Sequence, residues 1–152
     1  MFRGPSKVTL DAKGRMAIPT RYRERIAARC ENHLVATVDR GCLLIYPLPD
    51  WEDIERKLDR LPALDKQARR LQRVLLGHAE DLEMDAQGRV LIPKVLREYT
   101  RIGKRAMLIG QGRKFELWDE EAWNARMDAW MSEDEDEDDG APLSAVLETL
   151  TL

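Results

Sequence analysis

Val8 and Leu10 alternate with Lys7 and Thr9, the period-two pattern of a half-buried strand. Asp11-Ala12-Lys13-Gly14 then predicts a tight turn, since an Asp carboxylate accepts from backbone amides two residues on and Gly tolerates positive φ. Met16 and Ile18 resume the alternation against Arg15 and Ala17. The expected product is a hairpin, apolar inward, with Lys7, Lys13 and Arg15 at its tip and outer face. Pro19 suits the first turn of a helix in which Tyr22, Ile26 and Cys30 form the buried stripe, with Arg21, Arg25 and Arg29 on another face. Leu34–Val38 and Leu43–Tyr46 predict two strands around Asp39-Arg40-Gly41, ended by Pro47-Leu48-Pro49. Asp50 is expected to cap a helix with Trp51, Ile54, Leu58 and Leu61 on one face. Pro62 breaks it, and a further helix follows with Leu64, Ala68, Leu71 and Leu75 as its stripe and Gly77 as its stop.

The order then repeats. Leu10-Asp11-Ala12-Lys13-Gly14-Arg15-Met16-Ala17-Ile18-Pro19 recurs 74 positions on as Met84-Asp85-Ala86-Gln87-Gly88-Arg89-Val90-Leu91-Ile92-Pro93, identical at six of ten positions. Leu82 and Met84 lead into the second turn, Val90 and Ile92 follow it, and Pro93 opens a helix expected to bury Val95, Tyr99 and Ile102. Ala106–Ile109 and Lys114–Trp118 predict strands around Gly110-Gln111-Gly112. Asp119 is expected to cap a last helix with Trp123, Met127, Trp130 and Met131 on one side. Tyr46 with Trp51 and Trp118 with Trp123 share one spacing, so the duplication runs well past the turn. The predicted organisation is a first repeat over residues 1–77 with an extra helix, a second over 78–131, and an acidic, disordered tail over 132–152.

Charge distribution changes the picture. The net charge is −3, from 28 acids and 25 bases, yet eight of those acids lie in residues 133–152, which carry no Lys or Arg. Residues 1–131 therefore hold 20 acids against 25 bases, a net +5, and the first 25 residues are the most basic. A basic body points to a polyanionic partner. No apolar run approaches a membrane span and the N-terminal residues lack a signal-peptide core, so a cytoplasmic protein without membrane contact is expected. Cys30 and Cys42 have no paired-ligand spacing and are expected to be buried, reduced thiols.

Catalysis finds little support in the residues. His33 and His78 are the only histidines, and no metal-ligand spacing, phosphate-binding glycine loop or nucleophile elbow can be picked out. No enzyme activity, cofactor or metal is expected. The duplicated turn is different. Structurally, its Asp would satisfy backbone amides and pair with the Arg four residues on. In the first copy, Lys7, Lys13 and the Arg-rich helix after Pro19 add a functional reading: a two-stranded ribbon with a basic tip can enter a DNA major groove. Arg15 would read guanine, Lys13 and Lys7 would meet phosphate, and Asp11 would orient Arg15.

Asp-x-x-x-Arg twice in a chain of this length, each followed by Ile-Pro and a helix, resembles the MraZ family of bacterial transcriptional regulators. Phe2-Arg3-Gly4 and the Tyr46-Pro47…Trp51 segment are similar to that family too. The resemblance covers residues 1–131 and implies an α+β fold of the AbrB/SpoVT-like swapped-hairpin superfamily. Two strand–turn–strand–helix units would interlace into one pseudo-twofold barrel. It also implies ring-shaped homo-oligomers that bind double-stranded DNA at direct repeats in the promoter of their own division and cell-wall gene cluster, in the nucleoid. Asp11 with Arg15, and Asp85 with Arg89, would be the DNA-contacting motif residues, and Arg3 and Arg21 complete the candidate set. Glu80, Asp81 and Glu83 flank the second motif, and Gln87 replaces Lys13. Primary DNA contact is therefore assigned to the first copy and a structural or assembly role to the second. The alternative is a non-catalytic oligomeric scaffold that binds protein.

Overall fold

The computed structural model describes residues 1–132; the expected acidic tail lies outside them. The elements run β1 (Phe2–Thr9), β2 (Arg15–Ala17), α1 (Thr20–Cys30), β3 (His33–Asp39), β4 (Cys42–Pro47), α2 (Leu48–Asp59) and α3 (Lys66–Leu71). A π-helical turn over Gln72–Leu76 leads into β5 (Glu80–Glu83), β6 (Arg89–Leu91), α4 (Lys94–Thr100), β7 (Arg105–Gly112), β8 (Phe115–Asp119) and α5 (Glu120–Met131). Among the described residues the fold is α+β, with two antiparallel sheets and five α-helices. The described chain belongs to two compact units, Met1–Glu120 and one beginning at Glu121. In the second, the rings of Trp123 and Trp130 meet edge to face at 6.1 Å and the Arg126 guanidinium lies over Trp130.

Strand partnering corrects the hairpin expectation. The strands on either side of the first turn touch at a single bridge, Leu10 to Met16. Instead β1 pairs along its whole length with β7, from Phe2 opposite Gly112 to Thr9 opposite Arg105. β5 pairs with β3, and β2 pairs with β6 in a separate two-stranded sheet. The six-stranded sheet has the order β1-β7-β8-β4-β3-β5. Exchanging each strand for its counterpart in the other copy returns the same order read backwards, so the topology has an internal twofold. Its centre lies between Met16 and Val90 in the small sheet and between Leu44 and Glu116 in the large one.

The core explains this exchange. Met16, Ile18, Val90 and Ile92 face inward from the small sheet and are at most 1% exposed. They pack with Leu34, Leu43, Ile45, Leu108 and Leu117 of the large sheet in one apolar cluster. Phe2 stacks on Phe115 at 4.2 Å, and Tyr22 meets Phe115 edge on at 5.0 Å, which ties β1 and α1 to β8. Val35, Trp51 and Leu58 form a second cluster, with Leu75 and Leu76 against it.

Several local expectations shift. Pro19 and Pro93 are N-cap residues of α1 and α4, with extended ψ of 138° and 141°. Counting from them, the stripe of Tyr22 and Ile26 repeats as Leu96 and Thr100, which are buried, while Val95 and Tyr99 face solvent. Asp50 is no cap: it lies within α2, buried, and accepts both Nε and Nη2 of Arg29. Asp119 ends β8 and accepts the Gly103 N–H at 3.0 Å. The helix expected through Leu64 starts later, capped by Asp65, so Leu64 lies outside it; Leu64 and Leu71 are exposed, and the π turn shifts the phase of the residues that follow. The last strand pair turns at Arg113 and Lys114, because β7 extends through Gly112.

Because Ile18 and Ile92 occupy equivalent, fully buried positions, Ile18→Ala and Ile92→Ala should destabilise by similar amounts, about 2–5 kcal/mol each. Denaturant unfolding checks this; a large cost for only one would mean that the copies do not share a core.

Candidate nucleic-acid interface

Each turn is built the same way. Asp11 Oδ1 accepts the N–H groups of Lys13 and Arg15, both at 2.9 Å, and Oδ2 accepts Arg15 Nε at 2.8 Å. Asp85 repeats this with Gln87 N–H at 2.9 Å, Arg89 N–H at 2.8 Å and Arg89 Nε at 3.2 Å. The backbone closes both loops through Gly14 N–H to Asp11 O and Gly88 N–H to Asp85 O. Gly14 and Gly88 have φ of +92° and +77°, where L side chains are strained. The expected Asp–Arg geometry is therefore present twice.

Each turn also leans on the other copy. Gly14 O accepts Ile92 N–H at 2.9 Å, and Gly88 O accepts Ile18 N–H at 2.8 Å. Arg97 of α4 donates Nε to Ile92 O and lies where a side chain on Gly14 would stand; Arg23 of α1 does the same at Ile18 O and Gly88. Sequence reasoning missed Arg23 and Arg97 as site residues. Their signal was a shared offset, since each stands four residues after the motif's proline.

The exchange brings the two motifs together. Arg15 opposes Leu91 and Ala17 opposes Arg89 across β2 and β6, so both arginines leave the same outward face of one ribbon. Their side chains are equally exposed, 40% for Arg15 and 39% for Arg89. They differ in grip: Arg89 also donates Nη2 to Gln87 Oε1 at 2.9 Å. The acids Glu80, Asp81 and Glu83 belong to β5 and pair with β3, at an edge of the large sheet.

The remaining candidates sit elsewhere. Lys7 projects from β1 within 3.7 Å of Glu120 Oε1. Arg3 lies on β1 opposite Gln111, exposed. Arg21 donates Nη2 to Ser6 Oγ at 2.6 Å and to Pro5 O at 3.2 Å, and Arg25 donates to Met1 O at 2.8 Å. With Arg29 on Asp50, these α1 arginines fasten β1 and α2 to the helix. Elsewhere Asp39, Cys42 and Glu116 bring ligand-type atoms within 4.8 Å of one another. Burial pushes the Cys42 thiol well above its usual range, and Glu116 Oε1 accepts Trp118 Nε1, so this trio reads as a packed turn.

These features define a class of protein: a duplicated Asp-x-x-x-Arg turn, interlaced by strand exchange, that presents two arginines on one ribbon. A family profile described as "MraZ protein, putative antitoxin-like" matches residues 1–74 and again 75–141. The chain is 56% identical to the transcriptional regulator MraZ of Thioalkalivibrio sulfidiphilus over 153 aligned positions, covering all of both chains. It is 56% identical to that of Pseudomonas aeruginosa, covering 85% of this chain and 87% of the relative. With the relative from Hydrogenovibrio crunogenus the identity is 60%, over 82% and 83% of the two chains. The chain belongs to the MraZ family.

The Asp11 carboxyl is held down to about 2, first by the Arg15 backbone N–H, against an opposing effect of burial, and then by the Arg15 side chain and the Lys13 N–H. Asp85 is lowered for the same reasons. A depressed carboxyl stabilises the fold above its ordinary range near 3.8, and that stabilisation is lost as pH falls through about 2. An NMR titration should place the Asp11 midpoint near 2. In Arg15→Ala it should rise yet stay below 3.8, since the backbone donors remain.

Proposed function

We propose that this protein is a sequence-specific regulator of transcription that grips double-stranded DNA with the β2/β6 ribbon. The observation that carries the reading is the placement of Arg15 and Arg89 on one exposed face of a two-stranded sheet. A two-stranded ribbon fits the B-DNA major groove, and Arg pairs with the guanine edge through two bonds. The relatives' shared name, transcriptional regulator MraZ, supports the same conclusion.

Within the ribbon, the first motif is the primary reader. Arg15 is gripped through Nε, which leaves its outer nitrogens for a base, whereas Arg89 is held at Nε by Asp85 and at Nη2 by Gln87. Lys13 adds a cation where the second copy has Gln87. Asp11 and Asp85 orient their arginines, Lys7 lies on the flank, and Arg21 and Arg3 contribute charge behind the ribbon. The two repeats, 1–77 and 78–131, form one swapped-hairpin barrel on this reading; the reciprocal bonds between Gly14 and Ile92 and between Gly88 and Ile18 support it.

The functional unit is a homo-oligomeric ring in the cytoplasm, associated with the nucleoid, that binds direct repeats in the promoter of its own gene cluster. Repeated weak contacts gain avidity when geometry lets several engage at once. Val95 and Tyr99 support a subunit contact at α4: each is more than half exposed, while the equivalent positions of the first copy are Arg21 and Arg25. The same apolar face would serve the protein-scaffold alternative, which lacks a use for the arginine ribbon. No catalytic step is assigned to the molecule, and no helix among the described residues is long and apolar enough to cross a membrane.

Arg15→Ala should weaken binding to the DNA upstream of the gene by roughly 5- to 150-fold per lost contact, with assembly intact. Arg89→Ala should weaken it less. Gel shifts beside size-exclusion chromatography decide this, and the reverse ranking would sink the asymmetric assignment. Val95→Asp with Tyr99→Asp should lower the molar mass measured by light scattering; an unchanged mass would clear α4 of a subunit contact.

A further inference from the structure

A groove of about 760 Å³ opens beside Ala17, on the outward face of β2, and extends along the β1/β7 edge. Its charged lining is Lys7, Arg23, Lys104 and Arg105 against one acid, Glu120. The backbone fixes these positions. Thr9 opposes Arg105 and Lys7 opposes Met107, so Lys7 and Arg105 leave the same face of the paired strands. Lys104 is anchored by its carbonyl, which accepts Leu10 N–H at 2.8 Å. Arg23 is anchored by Nε on Ile18 O at 2.7 Å. The lone acid is already turned toward Lys7, at 3.7 Å.

The internal twofold supplies a control within the molecule. The second copy's equivalents of Lys7 and Thr9 are Asp81 and Glu83. Met84 N–H donates to Asn32 O at 2.9 Å as Leu10 N–H does to Lys104 O, and His33 opposes Glu83 as Arg105 opposes Thr9. Asn32 and His33 thus stand where Lys104 and Arg105 stand. The same backbone arrangement is cationic on one flank of the ribbon and acidic on the other. Packing requires neither sign, because all of these side chains except Asn32 are exposed.

We infer that the Lys7–Arg105 groove is a track for the DNA phosphate backbone, with Lys104 and Arg105 as phosphate-contacting residues. The duplex leaves the ribbon over β1 and β7 and is turned away from β5 by Asp81 and Glu83, so the bound DNA has a fixed polarity on the protomer. The inference rests on the DNA-binding reading above and adds residues that lie 89 and 90 positions beyond Arg15. Phosphate contacts carry no sequence information, so these two cations set affinity and register while the ribbon sets sequence preference.

The test uses the full chain, a duplex from upstream of its own gene and a scrambled duplex, with affinity measured across a salt series. Lys104→Gln with Arg105→Gln should lower the magnitude of the log–log salt slope by about 1.8 for each engaged subunit, about 0.9 per lost phosphate contact. It should weaken both duplexes by the same factor, leaving their ratio unchanged. Lys57→Gln with Arg60→Gln, an equal charge change at exposed positions of α2 and its C-terminus, should leave the slope at the wild-type value. A groove variant with wild-type slope overturns the inference, and so does an equal fall in the α2 variant. A wild-type protein that binds neither duplex overturns the DNA reading itself, which separates the two failures.

Discussion

Everything at the ribbon depends on two backbone hydrogen bonds that cross between the copies, Ile92 N–H to Gly14 O and Ile18 N–H to Gly88 O. Each turn presents its carbonyl to the strand that follows the other turn, so neither motif completes its own surroundings. Glycine at the bonded position permits the left-handed φ and leaves room for the partner helix's arginine, Arg97 at one turn and Arg23 at the other. The carboxylate of each motif then has one task, to hold its own amides and its own Arg. Two exposed arginines reach one surface because the backbone beneath them is shared.

Local chemistry was legible in the sequence, and partnering was not. The Asp–Arg turn, the proline before each following helix and the Tyr22–Ile26–Cys30 stripe all follow from short-range rules that need no knowledge of the rest of the chain. Period-two alternation says which side of a strand is buried and nothing about which strand lies beside it. A tight turn between two alternating segments therefore suggested a hairpin. Here β2 and β6, three residues each, pair with each other instead, and their inward side chains Met16 and Val90 are buried in the common core.

The remaining misses have separate causes. In α4, seven residues give too few turns for periodicity to fix the phase, and the motif's proline would have fixed it better than the apolar residues did. The π turn after α3 adds a residue to one helical loop and changes the phase of the residues beyond Leu71, which α-helical spacing cannot show. Asp50 looked like a cap because Asp is common there; its partner, Arg29, comes from an element 21 residues away. Charge behaves differently again. The backbone is duplicated closely enough to map residue onto residue, yet the side chains at the two sheet edges carry opposite signs, since exposed positions are free of the packing that preserves the core.

The pairing of β1 with β7 has a consequence for how the chain is made. Phe2 is synthesised 110 residues before its partner Gly112. The N-terminal strand must therefore wait, with its apolar side uncovered, until the second copy has been synthesised. Such long-range pairing slows folding and exposes sticky surface in the meantime. A chain that stops before β6 leaves both β1 and β2 without their partners, so such truncated translation products should be cleared rather than accumulate as half-regulators.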